Sequence, residues 1–161
     1  MKNKQLNNNR GFTLLELLIV VAIISILAVV VFVAIDPLTR MKESRNAQRQ
    51  VECNSILDAT LQYVIDNTEY PAGLNTDIHI ISSTPLNSGC DDCGSTPQSQ
   101  PDCLDMSVLV DQGYLGALPI DQKPQGAQAG ETRYWINRSA NGITTVGACD
   151  AEDDLLIQSS R

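Results

Sequence analysis

The sequence predicts an α+β protein in which a long N-terminal α-helix, half transmembrane and half amphipathic, packs on a small antiparallel β-sheet headgroup. Three observations carry that prediction. Residues 17–35 are apolar except for Ser25. Residues 53–65 place Cys53, Ile56, Leu57, Leu61, Val64 and Ile65 at helical spacing, with Asp58, Gln62 and Asp66 on another face. Near the C-terminus, two strand-like stretches, 132–138 and 143–148, flank Ser139-Ala140-Asn141-Gly142, whose Asn-Gly tolerates the positive φ of a hairpin turn. With 161 residues the chain is the size of one small domain. Nineteen acids against eleven bases, a net charge of -8, leave no broad basic footprint for a nucleic-acid backbone, so no direct nucleic-acid binding is expected.

The first eleven residues, with Lys2, Lys4, Arg10 and no acid, form a leader. The 19-residue run from Leu17 to Ile35 spans roughly 28 Å as a helix, close to the hydrocarbon thickness of a bilayer. Bases flank it on both sides, because Arg40, Lys42, Arg45 and Arg49 follow closely, so charge asymmetry does not orient it. No small-residue cleavage pattern follows the run, which separates it from an ordinary secretory signal. Glu16 is the unusual residue, an acid set among Leu14, Leu15, Leu17 and Leu18. In an apolar layer it needs a partner. Cleavage between Gly11 and Phe12 would create one, the new α-amino group of Phe12, and a position near a helix N-terminus also favours the negative charge.

GFTLLELLIVVAIISILAVV, Gly11 to Val30, resembles the class III signal of type IV pilins and of the pseudopilins of type II secretion and competence systems. The resemblance implies that a prepilin peptidase cuts after Gly11 and methylates Phe12, and that Glu16 pairs with the Phe12 amine of a neighbouring subunit. Other implied partners are identical or related pilin subunits, an ATP-driven inner-membrane assembly machine, and membrane lipid before assembly. The chain then reads as leader (1–11), transmembrane and filament-core helix (12–36), amphipathic helix (37–67) and headgroup (68–161). Pro37 should kink or unwind the helix where its apolar part ends. The helix should stop near Asn67, ahead of Pro71 and Gly73.

Residues 74–103 read as loop. Ser107 to Val110 suggest a short helical turn ending at Gly113, and Tyr114 to Asp121 resembles a tyrosine, leucine-proline and aspartate segment of many pilins. Of Tyr134, Trp135 and Ile136, either Tyr134 and Ile136 or Trp135 should face the helix.

The five cysteines, Cys53, Cys90, Cys93, Cys103 and Cys149, are disulfide candidates. Two bridges among five cysteines allow fifteen pairings, and spacing does not choose among them. Zinc is disfavoured, because only one close pair exists and His79 is the sole histidine. Cys90-Asp91-Asp92-Cys93 as a redox motif lacks a good helix start after it. Asp150, Glu152, Asp153 and Asp154 read as a solvated acidic tail in preference to a calcium loop, and Arg40, Lys42, Arg45 and Arg49 as a solvated basic helix face. Asn137-Arg138-Ser139 matches a glycosylation sequon on an expected strand, and His79 reads as an ordinary loop residue. No catalytic constellation emerges, so no enzyme activity and no cofactor are expected. The resulting expectation is a structural subunit. It would be processed and polymerised through its helix into an extracellular or periplasmic type IV pilus filament for adhesion, motility or DNA uptake. The alternatives are a major pseudopilin of type II secretion and, from another class, a membrane-anchored thiol or metal-binding protein.

Overall fold

The computed structural model describes residues 11–84, 90, 93, 103–122 and 130–161. The leader expected at 1–11 therefore lies, apart from Gly11, outside the described residues, as do Asp91 and Asp92. The chain divides into two compact units, Met1–Met41 and Lys42–Arg161.

In the first unit, helix α1 covers Leu14–Ile35 and none of its residues is buried. Apart from Glu16 and Ser25, its side chains are apolar around the whole circumference, a composition that suits lipid or a helix bundle and not water. The helix ends at Asp36, whose φ of 42° lies in the left-handed region. Proline drives the residue before it out of the right-handed helical region, and a short acidic side chain tolerates the left-handed one. Pro37 then occupies the first position of helix α2, Pro37–Asn67, where a missing N–H costs nothing. Asp36 also starts that helix: its carbonyl accepts from the Arg40 N–H at 3.3 Å and its carboxylate from the Thr39 hydroxyl at 2.6 Å. The interruption expected at Pro37 is present, and it falls on the residue before the proline.

In the second unit, α2 ends at Asn67 as the sequence predicts, with Thr68 left-handed at φ 59°. Its buried stripe includes Asn46, Arg49, Cys53, Ile56, Leu57 and Thr60, spaced as one helix face. Leu61 and Val64 are only half-buried and Ile65 is exposed, so the apolar stripe fades one turn earlier than its spacing implies.

The sheet has five strands in the order β2-β1-β3-β4-β5: β1 His79–Ser82, β2 Leu104–Asp105, β3 Tyr134–Arg138, β4 Thr144–Ala148 and β5 Gln158–Ser160. All pairs are antiparallel except β1 with β2, which is parallel. The expected hairpin is β3 and β4, in register from Tyr134 opposite Ala148 to Arg138 opposite Thr144. The expected helical turn is α3, Val108–Asp111. The loop reading of residues 74–103 is corrected by β1. Ile80 and Ile81 are both fully buried, one on each face, so that strand lacks the polar and apolar alternation by which half-buried strands are recognised. β5, a polar edge strand, carries no strand signal either.

Alternation across β3 settles which side chains face the helix. Tyr134 and Ile136 join Cys53, Ile56, Leu57, Ile81 and Val146 in the main core, while Trp135 points to the other face with Ile80 and Cys93. Trp135 lies opposite Gly147, and a Cβ there would come within 2.4 Å of the indole. Only glycine fits beneath that ring. Each fully buried aliphatic side chain of the main core contributes about 1.5–3 kcal/mol, which pins the sheet register against α2.

Candidate functional site

The first candidate site is the entry to α1. Thr13 is extended at φ -84° and ψ 149°, and its side-chain oxygen accepts the Glu16 N–H at 3.1 Å. Thr13-Leu14-Leu15-Glu16 is thus half of a capping box, a pattern legible in the sequence but unread there. It fixes Glu16 as the third residue of the helix, where the positive end of the peptide dipoles favours its charge. Ser25, the other polar residue of α1, satisfies itself by donating to the Val21 carbonyl at 2.8 Å. The Glu16 carboxylate has no such partner among the described residues. Gly11 and Phe12 precede the helix, both exposed, and no heavy atom lies within 4 Å of a Cβ built at Gly11. Gly11, Phe12 and Glu16 therefore follow one another on an open segment and the first helical turn. α1 is long and apolar enough to cross a membrane, about 33 Å for its 22 residues.

The second site is a polar cluster of the headgroup unit, and it corrects two expectations together. Arg49 and Glu152 are buried and Arg45 and Asp150 half-buried, so neither group is simply solvated, although Arg40, Asp153 and Asp154 are exposed as expected. Lys42, Arg45, Asn46 and Arg49 share one helix face and meet the acids directly. Arg49 is buried and bidentate on Asp121, with Nε to Oδ2 at 2.6 Å and Nη2 to Oδ1 at 3.0 Å. Its Nη1 donates to Asn46 at 2.8 Å and to Glu152 at 3.4 Å. Arg45 is bidentate on Glu152 at 2.6 and 2.7 Å. Asn46 exchanges two hydrogen bonds of 2.9 Å with the Glu152 backbone, and Lys42 reaches Asp153 at 2.7 Å. Burial lowers the Arg49 pKa, but the hydrogen bonds and charges of Asp121 and Glu152 outweigh it and hold the guanidinium above its ordinary value. Arg49, Asp121 and Glu152 are the buried charges, Arg45 joins them half-buried, and Lys42 and Asp153 pair at the exposed edge of the cluster. Asp150 belongs elsewhere, accepting from Arg133 at 2.7 and 3.1 Å. The acids of a calcium loop are thus largely taken up by guanidinium and ammonium groups. Among the described residues, no group of three or more His, Cys, Asp or Glu could hold a metal.

Nothing in the sequence pointed to Asp121 as the partner of Arg49. The leucine-proline and aspartate segment places it there: Leu118 is buried, and the Asp121 N–H donates to the Thr132 carbonyl at 3.0 Å. Beside the cluster, the buried Tyr134 hydroxyl donates to Glu52. Burial and then that carboxylate push the Tyr134 pKa upward.

The cysteines form two bridges. Cys90 pairs with Cys103 and Cys93 with Cys149, with Cα atoms 5.4 and 4.9 Å apart. Cys53, the fifth candidate, is a free thiol buried in the main core, and burial raises its pKa to about 12. The two cysteines of the close pair leave to different partners, which removes both the redox-motif and the zinc readings. His79 lies on β1 within 3.1 Å of the Asn75 side chain, so its reading as a loop residue is corrected. Asn137 of the sequon sits inside β3 with its amide on the Thr76 carbonyl at 3.4 Å.

The family model of the prokaryotic N-terminal methylation motif matches residues 6–32, a stretch that contains Gly11, Phe12, Glu16 and most of α1. No curated protein and no solved structure matches the chain. The motif points to a structural subunit and to membrane anchoring through the apolar helix. With that motif at the head of an α+β fold, the chain carries the N-terminal signature of the type IV pilin and pseudopilin family.

Proposed function

We propose that the chain is a prepilin. It is cut between Gly11 and Phe12, methylated at Phe12, held in the cytoplasmic membrane by α1, and then polymerised through α1 into a type IV pilus filament outside the cytoplasm. The observation that carries this reading is α1 itself: 22 residues, apolar all round but for Glu16 and Ser25, with none buried. The fifteen Leu, Ile, Val and Phe residues between Leu17 and Ile35 favour lipid by roughly 4–9 kcal/mol in sum, so the helix leaves the bilayer only for an equally apolar bundle of like helices. In such a bundle an unpaired Glu16 is strongly disfavoured. The freed amine of Phe12 on the next subunit sits in the same layer and supplies the counter-charge, which sets the axial register between subunits. Prepilin peptidase, an inner-membrane assembly machine and related subunits are the partners this mechanism needs. A pilus is favoured over a secretion pseudopilus because two bridges brace the headgroup and arginines, in place of a cation, neutralise Glu152 and Asp121.

Two variants test the reading. Gly11→Asp should leave unprocessed precursor on a gel. Glu16→Ala should be processed yet fail to form fibres, because the unpaired amine costs about 3–5 kcal/mol at each subunit contact. A normal fibre yield from Glu16→Ala would overturn the register role.

A further inference from the structure

The two faces of the sheet are covered by different chemistry. The main core, on the α2 side, contains no half-cystine, since its one cysteine is the free Cys53. On the opposite face Trp135, only 3% exposed, and Ile80 pack with Cys93, and the half-buried Ile78, Cys90 and Cys149 complete that cluster. Among the described residues, three of these six are half-cystines and none comes from a helix. Gly147 is bare under the indole and cannot take over the covering. Among the described residues, Trp135 thus packs on this face against bridged sulfur, and Cys93, bonded to Cys149 just past the end of β4, is the most buried of the three half-cystines.

We propose that the Cys93–Cys149 bridge is a thiol-sensitive clasp over the outer face of the sheet. A dithiol reductant opens it. One thiolate of the reductant attacks a bridge sulfur and displaces the other cysteine as a thiolate, which takes up a proton. The second thiolate of the reductant then closes on the first, releasing two protein thiols and one oxidised, cyclic reductant. Once the clasp is open, Ile80 and Trp135 lose this cover and present an apolar surface, while the helix-side core, which contains neither bridge, keeps the fold. Formation of the bridge is thus the step that closes this face of the headgroup.

The full oxidised chain in detergent micelles tests this, because it has one tryptophan and because Cys53 reports on the main core. Dithiothreitol should shift Trp135 emission to the red and raise it, as the indole enters water and loses a neighbouring disulfide quencher. Iodoacetamide added without denaturant should then modify Cys90, Cys93, Cys103 and Cys149 and leave Cys53 unmodified by mass. Modification of Cys53 as well would mean that the whole headgroup opens, and would overturn the proposal. So would an unchanged emission maximum after complete reduction. The double variant Cys93→Ser/Cys149→Ser should show the red-shifted spectrum without reductant, whereas Cys90→Ser/Cys103→Ser should keep the buried one. The reverse pattern would assign the clasp to the other bridge and refute this one.

Discussion

Helices α1 and α2 follow each other with one residue between them, yet they bury side chains by opposite means. Apart from Glu16 and Ser25, α1 is apolar on every side and none of its residues is buried, as suits membrane anchoring. α2 buries one stripe, polar and charged at Asn46 and Arg49 and apolar from Cys53 to Leu57, and each part finds its partner inside the headgroup. Apolar content alone does not tell whether a helix is complete within its own chain. What decides is whether the apolar surface is confined to a face that the rest of the chain can cover.

That contrast can be broken most severely at Arg49. Arg49→Ala leaves Asp121 and Glu152 buried with less than their counter-charge, and the headgroup should lose about 3–5 kcal/mol in urea titrations of the full chain in micelles. The helicity of α1 should stay unchanged, and a loss under 1 kcal/mol would remove the cluster from the account.

High pH should act on the same unit alone. Cys53 ionises near 12 in the fold against 9.0 when unperturbed, and Tyr134 is likewise raised from 10.0. Both groups hold their protons more tightly in the folded state, so their stabilisation is complete below pH 9 and is lost as the pH rises from there. The unfolding free energy from urea titration should fall between pH 9 and 11 by about 1 kcal/mol per pH unit for each group in its window. Cys53→Ala should remove the earlier part of the fall, and a flat profile would contradict the burial of both groups.

A smaller effect of opposite sign is expected at Thr144. Its hydroxyl is buried with no hydrogen-bond partner among the described residues, although its backbone pairs with Arg161 at 2.8 and 3.0 Å. Thr144→Val keeps the shape and removes the unsatisfied group, so the unfolding free energy should rise by about 1 kcal/mol.

What could be read in the sequence follows the range of the interactions. α1 and the end of α2 are set by neighbours a few residues away, and the β3 and β4 hairpin by Asn141-Gly142, so local pattern was enough. The pairs that hold the headgroup together join Arg49 to Asp121, 72 residues on, and Arg45 to Glu152, 107 residues on. The bases were visible as a helix stripe and Glu152 in an acidic run near the C-terminus, whereas Asp121 ended the separate leucine-proline segment. Periodicity gives no sign that two charged segments meet, and so both looked solvated. β1 was hidden because Ile80 and Ile81 serve two cores at once. At the candidate site, Gly11, Phe12 and Glu16 were legible because an acid inside an apolar run is conspicuous, while the cap from Thr13 needed the helix start to be placed.

The mass of the N-terminal peptide from filaments sheared off cells tests the central claim most directly. That peptide should begin at Phe12 and carry one added methyl group on its amine. Filament protein that still contains residues 1–11 would contradict it, because Glu16 would then lie in the apolar core without the amine that neutralises it.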